Sequence, residues 1–244
     1  MKWIFLLVGF AVALLATNHA RAADEKIKVL VVTGGHGFER EPFFQMFSEN
    51  AQIEFTVAEH SKTNASVYDR SDLLNYQVVV LYDMPQKISD AQKARFKALF
   101  EKGVGLVVLH HALVSYQDWS EYEQIIGGRY QEPDPKKPGT VTEAAGWEHD
   151  VDFRVVIAAT NHPVTAGLKD FDIHDEIYWG FRVSNDVTPL ITTTHPKSGK
   201  PLGWARTQGK SRVVYLQPGH GKEAFGNENY RKLLAQGIQW TALK

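Results

Sequence analysis

Residues 28–33, 78–82 and Gly105–Leu109 are apolar at nearly every position and rich in β-branched side chains. Such runs predict strands buried on both faces, the kind found inside a parallel sheet. Residues 53–58 predict a further strand. Helices are predicted between them. Residues 41–50 follow a Gly-rich turn after the first strand. Asp90–Lys102 is opened by Ser89 with Gln92 three positions on, a capping box, and closed by Gly103. The alternation of strand and helix with short connections predicts an α/β, doubly wound sheet.

The second half is less regular. A short helix is predicted at residues 119–126. Residues 131–150 contain Pro133, Pro135, Pro138 and Gly139, which oppose regular structure and predict a long binding loop or lid. Strands are predicted at residues 154–158, 171–178, 190–194, 202–206 and 212–216, the last two joined by a turn at Gly209-Lys210. An amphipathic helix over residues 229–243 turns Tyr230, Leu233, Leu234, Ile238 and Trp240 inward. No internal repeat or linker interrupts residues 23–244, which read as one domain.

Residues 1–22 stand outside that domain. Lys2, an apolar stretch to Leu15, and Ala20-Arg21-Ala22 form the pattern of a secretory signal peptide, with an apolar part too short for a comfortable membrane span. Its removal takes the formal charge from −1 to about −3 and predicts a periplasmic or secreted protein without a stable membrane anchor. The mild charge offers no footprint for nucleic acid. The absence of cysteine excludes thiol nucleophiles, disulfides and cysteine-held metals.

Histidine carries the candidate chemistry. His36, the pair His110-His111, and His220 each follow a predicted strand, and open α/β sheets place their ligands at carboxyl ends. Imidazole is the commonest protein metal ligand, and a borderline metal such as zinc accepts nitrogen together with carboxylate oxygen. His36, His220 and Asp175 are therefore the candidate ligands of a divalent metal. His110, His111 and Glu176 are the candidate acid–base groups. If the strand ran on through both histidines, only one of His110 and His111 would face the pocket. The aromatics Trp119, Trp147, Tyr178, Trp179 and Trp204 together suggest a cleft that stacks on sugar rings, although any single one is more often a packing residue. No Gly-x-Gly-x-x-Gly marks a nucleotide site, and no Gly-x-Ser-x-Gly marks a hydrolase elbow.

Val-Thr-Gly-Gly-His, Gly-Val-Gly-Leu-Val-Val-Leu-His-His-Ala, Asn-His-Pro-Val-Thr-Ala-Gly-Leu, Asp-Glu-Ile-Tyr, Gly-Lys-Ser-Arg-Val-Val-Tyr and Pro-Gly-His-Gly occur in that order. Together they resemble the trehalose-utilisation (ThuA-like) family, related to class I glutamine amidotransferases. The resemblance implies a flavodoxin-like three-layer fold with a mainly parallel central sheet. It also implies a small carbohydrate substrate associated with 3-keto derivatives. The amidotransferase nucleophile is a cysteine, which this chain lacks, so that chemistry does not carry over. The expectation is metal-assisted proton abstraction and cleavage of a 3-keto-glycoside. The alternative is a sugar-binding protein without activity, and an oligomer is compatible with either.

Overall fold

The computed structural model describes residues 25–132 and 145–242. The predicted leader and most of the proline-rich segment lie outside the described residues. The first half contains β1 (Ile27–Gly34), α1 (Arg40–Ser48), β2 (Ile53–His60), β3 (Val78–Asp83), α2 (Asp90–Lys102), β4 (Gly105–Leu109), α3 (Ser120–Ile126) and β5 (Gly128–Arg129). The second contains β6 (Gly146–Ile157), β7 (Phe171–Trp179), β8 (Arg182–Val183), β9 (Thr188–Thr193), β10 (Gly203–Gln208), β11 (Ser211–Leu216), α4 (Lys222–Gly226) and α5 (Glu228–Ala242).

Nine strands form one sheet in the order β2-β1-β3-β4-β11-β10-β9-β6-β7. The first five are mutually parallel. They follow the flavodoxin-like order, whose ligand-binding crevice lies at the carboxyl ends beside the first strand. Strand alternation splits the core into two. Val29, Val31, Val78 and Val80 face α1 and α5 through Phe43, Phe47 and Leu233. Leu30, Val32, Val79 and Leu81 face α2 and α3 through Phe96, Leu99 and Tyr122. Three layers result, and β3 and β4 are buried at every position. The Ser89–Gln92 capping box forms, and Gly103 closes α2 at φ +86°.

The other four strands extend the sheet in antiparallel fashion. β7 is the outermost of them, five positions from β4. In a flat sheet that separation would be about 24 Å at ~4.8 Å per strand. Glu176 of β7 nevertheless lies 2.7 Å from His110, which follows β4. The antiparallel portion therefore folds back over the carboxyl edge of the parallel portion. Register shifts at Gly203/Trp204 and at Glu148/Val151 supply local bends.

β6 begins well before the strand predicted at residue 154. Its bulge and Asp150, at φ +58°, break the alternation that would have marked Trp147-Glu148-His149 as strand. No helix among the described residues is long and apolar enough to cross a membrane.

Candidate active site at the carboxyl edge

The turn after β1 presents His36. Gly34 sits at φ +112°, and a Cβ there would lie 2.0 Å from the His60 carbonyl oxygen, so only glycine allows this path. The turn after β11 presents His220. Gly219 at φ +124° passes so close to the Tyr230 hydroxyl that a Cβ would lie 2.3 Å from it. Between them, the chain leaves β4 in a tight 3-10 turn, His110–Val114, and His110 takes φ +49°. Left-handed backbone at a buried non-glycine residue costs about 1–3 kcal/mol and is concentrated at functional sites. The turn also ends the strand alternation, so both His110 and His111 reach the site.

The Nδ1 of His110 lies 2.7 Å from the Gln217 carbonyl oxygen. A carbonyl only accepts, so Nδ1 carries the proton and donates it. In the neutral ring, Nε2 is then a bare lone pair. That atom faces Glu176 Oε2 at 2.7 Å, the Tyr178 hydroxyl at 2.9 Å and His220 Nδ1 at 3.2 Å. His220 Nδ1 is itself 3.1 Å from Glu176 Oε2. A lone pair aimed at a carboxylate requires a positive charge at that point, either a proton or a metal ion.

Burial pushes the Glu176 carboxyl upward, but hydrogen bonds from His110 and His220 and the charges of those rings outweigh it and hold it below the usual range. The same hydrogen bond raises His220 above an ordinary imidazole, against the burial of its ring. Burial keeps the Tyr178 hydroxyl protonated far above neutral pH. The peptide N–H groups of Gly219 and His220 donate to Asp175 at 2.6 and 2.9 Å, and the side chain of Gln217 donates to the Glu176 carbonyl at 2.8 Å. These contacts fix the His220 turn against β7.

A cavity of about 440 Å³ opens beside this group and is lined by His36, His111, Trp147, His149, Glu176, Tyr178 and His220. That volume suits a small-molecule site. His111 is 3% exposed and packs between the tilted rings of His36, at 4.5 Å, and Tyr82, at 4.3 Å. Neither of its ring nitrogens has a hydrogen-bond partner. Burial, with the charge of nearby His110, lowers it well below the ordinary imidazole range, so it is neutral. Partial burial lowers His36 in the same direction. The neutral imidazoles thus lie directly beside the imidazole–carboxylate–imidazole cluster, the His111 ring 5.5 Å from that of His110.

Among the described residues, His110, Glu176 and His220 offer ligand atoms within 4.8 Å of one another. Two imidazole nitrogens and a carboxylate oxygen suit a zinc-like cation. The His110 N–H bonded to a carbonyl is the outer support that metal-bound histidines use. The residues fit the group, but in a different grouping from the predicted one. Asp175 is not part of it, because both of its oxygens accept backbone N–H groups. His36 stands beside the group without a ligand atom in it, its ring edge-on to that of His220 at 6.4 Å. His110 and Glu176, expected as acid–base groups, are the residues that offer ligand atoms together with His220.

The aromatics divide similarly. Trp147, 55% exposed, and Tyr178 line the cavity. Trp204 is fully buried, packs against the tilted ring of Tyr215 and donates to the Ile126 carbonyl at 2.8 Å. Trp119 packs among Phe96, Tyr116 and Tyr122. Trp179 covers Gly146 and joins the core. Trp119 and Trp204 are buried packing residues and Trp179 is partly buried against the core; none of the three lines the cavity. Sequence reasoning assigned no role to His149 or Gln217. Their proximity arises from the β6 bulge and the fold-back, which leave no local signal.

The family model described as "ThuA: Trehalose utilisation" matches residues 28–241. A ThuA-like protein from Parabacteroides merdae shares the fold at TM-score 0.75 and 19% identity, over 89% of this chain and 90% of that one. Another from Bacteroides uniformis does so at 0.66 and 22%, over 91% and 94%. A cold-adapted β-galactosidase from Rahnella contains a similar fold at 0.58 and 14%, covering 88% of this chain and 31% of its own. No curated protein matches the sequence.

Proposed function

We infer the activity from one premise: the chain belongs to the trehalose-utilisation (ThuA) family. Its reading is an exported carbohydrate-active enzyme that abstracts a proton from a 3-keto-glycoside and cleaves the glycosidic bond. The observation that carries it is the placement of His111, buried with both nitrogens unpaired and its ring 5.5 Å from that of His110, on the same cavity that Glu176 and His220 line. Export rests on the leader pattern of residues 1–22.

A carbonyl at C3 acidifies the proton on C2. His111, neutral and facing the cavity, accepts that proton, and the C–H electrons pass into a C2–C3 enediolate. His110, Glu176 and His220 would hold a divalent cation, which when bound supplies a Lewis acid for the developing oxyanion. Collapse of the enediolate breaks the C1–O bond, and the leaving oxygen takes the proton that His111 holds, which returns the imidazole to its neutral form. Water can then add to the unsaturated product. Trp147 at the mouth offers an apolar face to a sugar ring.

The test is incubation of wild type, His111→Gln and His220→Gln with 3-keto-glycosides in D2O, followed by NMR. Wild type should exchange or lose the C2 proton and release the aglycone. Either substitution should slow this by about 10²-fold or more, the usual weight of a positioned base or acid. Binding without turnover by the wild type would favour the sugar-binding alternative. Unchanged turnover in both variants would remove the mechanism.

A further inference from the structure

We propose that His149 is a fourth ligand of the cation that His110, Glu176 and His220 would hold, one that an incoming substrate displaces. The inference rests on the metal reading above and concerns a residue outside the three-ligand cluster. It begins with strand register. Trp147 pairs with Tyr178 and Glu148 with Ile177, whereas Val151 pairs with Asp175. Two residues of β6, His149 and Asp150, therefore stand opposite the single residue Glu176.

Directly opposed residues of an antiparallel pair project from the same face of the sheet. The bulge thus puts the His149 side chain beside the Glu176 carboxylate. Asp150, at φ +58°, absorbs the extra residue and returns the strand to register. Bulges of this kind re-aim side chains next to active sites.

His149 Nδ1 lies 3.5 Å from Glu176 Oε1, the oxygen that His110 and His220 leave free. That is longer than a settled N–H···O bond of 2.7–3.2 Å. Its ring is 4.4 Å from that of His220 and 4.5 Å from that of Trp147. His149 therefore flanks the cluster without closing on it through a direct bond. A cation held by three protein groups keeps one tetrahedral position open. His149 is the cavity-lining imidazole next to both Glu176 and His220, and a third nitrogen would fill that position.

The side chain of His149 is 40% exposed, whereas that of Glu176 is 5% exposed. The fourth ligand would accordingly stand on the solvent side, where substrate arrives. Its departure would open the position that the substrate oxygen needs.

The experiment uses the protein stripped of metal and titrated with Co2+, read by visible absorption, with Zn2+ affinity measured in parallel by calorimetry. Wild type should show the intense bands of four-coordinate cobalt. His149→Ala, at an exposed position, should fold normally by circular dichroism, yet shift or weaken those bands and raise the Zn2+ dissociation constant about tenfold or more. An unchanged spectrum and affinity in His149→Ala would overturn the assignment of His149 alone. Failure of the wild type to take up either ion would overturn the metal reading together with it.

Discussion

Replacing Glu176 by Gln removes the negative charge at the centre of the site while keeping its shape. The carboxylate receives hydrogen bonds from His110 at 2.7 Å and His220 at 3.1 Å. Hydrogen bonds to charged groups contribute about 1.5–3 kcal/mol each. The amide keeps an acceptor oxygen and relieves the cost of burying charge, so part of that sum is retained. The carboxyl stays below its usual range despite burial, which means that its interactions outweigh desolvation. A loss of about 2–3 kcal/mol follows at pH 6, or roughly 5–10 °C in Tm.

The effect should depend on pH in both directions. A carboxyl lowered by folding stabilises above its ordinary value of 4.5 and loses that contribution as pH falls through its folded value. An imidazole raised by folding stabilises below its ordinary value of 6.5 and loses that contribution as pH rises through its folded value. The wild-type advantage over Glu176→Gln should therefore be greatest between about pH 4.5 and 6.5 and shrink on both sides. Urea denaturation of both proteins in EDTA at pH 3.5, 6 and 9 measures it. A variant as stable as wild type at pH 6 would refute the electrostatic account of the cluster.

Trp204→Ala should cost about 3–5 kcal/mol by thermal or urea unfolding, because the ring is fully buried, without changing sugar affinity of the folded fraction. Trp147→Ala should do the reverse, staying within about 0.5 kcal/mol in stability while weakening sugar binding in calorimetry. Asp175→Ala leaves the N–H groups of Gly219 and His220 without their acceptor. It should destabilise by about 2–4 kcal/mol and also lower metal affinity, since it frees the His220 turn. Gly34→Ala should be poorly folded or inactive, because its Cβ would collide with the His60 carbonyl, and solubility with far-UV circular dichroism reports this directly.

The parallel half of the fold was legible because its strands are buried on both faces and its helices carry their own stop signals. Gly105–Leu109, the Ser89–Gln92 box and Gly103 each state their structure locally. The return of β7 over the carboxyl edge was not legible, since it depends on bends summed over four strands. That fold-back decides the site. It brings Glu176 to His110 and turns Asp175 toward the Gly219-His220 backbone. His110, His111 and His220 could be found as strand-end histidines, but which of them gather round Glu176 and which stays unpaired could not. The positive φ of His110 and the bulge before Val151 are what set the two rings and His149 in place.

The proposed chemistry needs a cation-competent centre made by His110, Glu176 and His220. Anomalous scattering from crystals grown with Zn2+ tests it most directly. A single strong peak is predicted within bonding distance of His110 Nε2, Glu176 and His220 Nδ1. A peak only at the exposed Asp150–His174–Asp152 group, or none in the cavity, would contradict it.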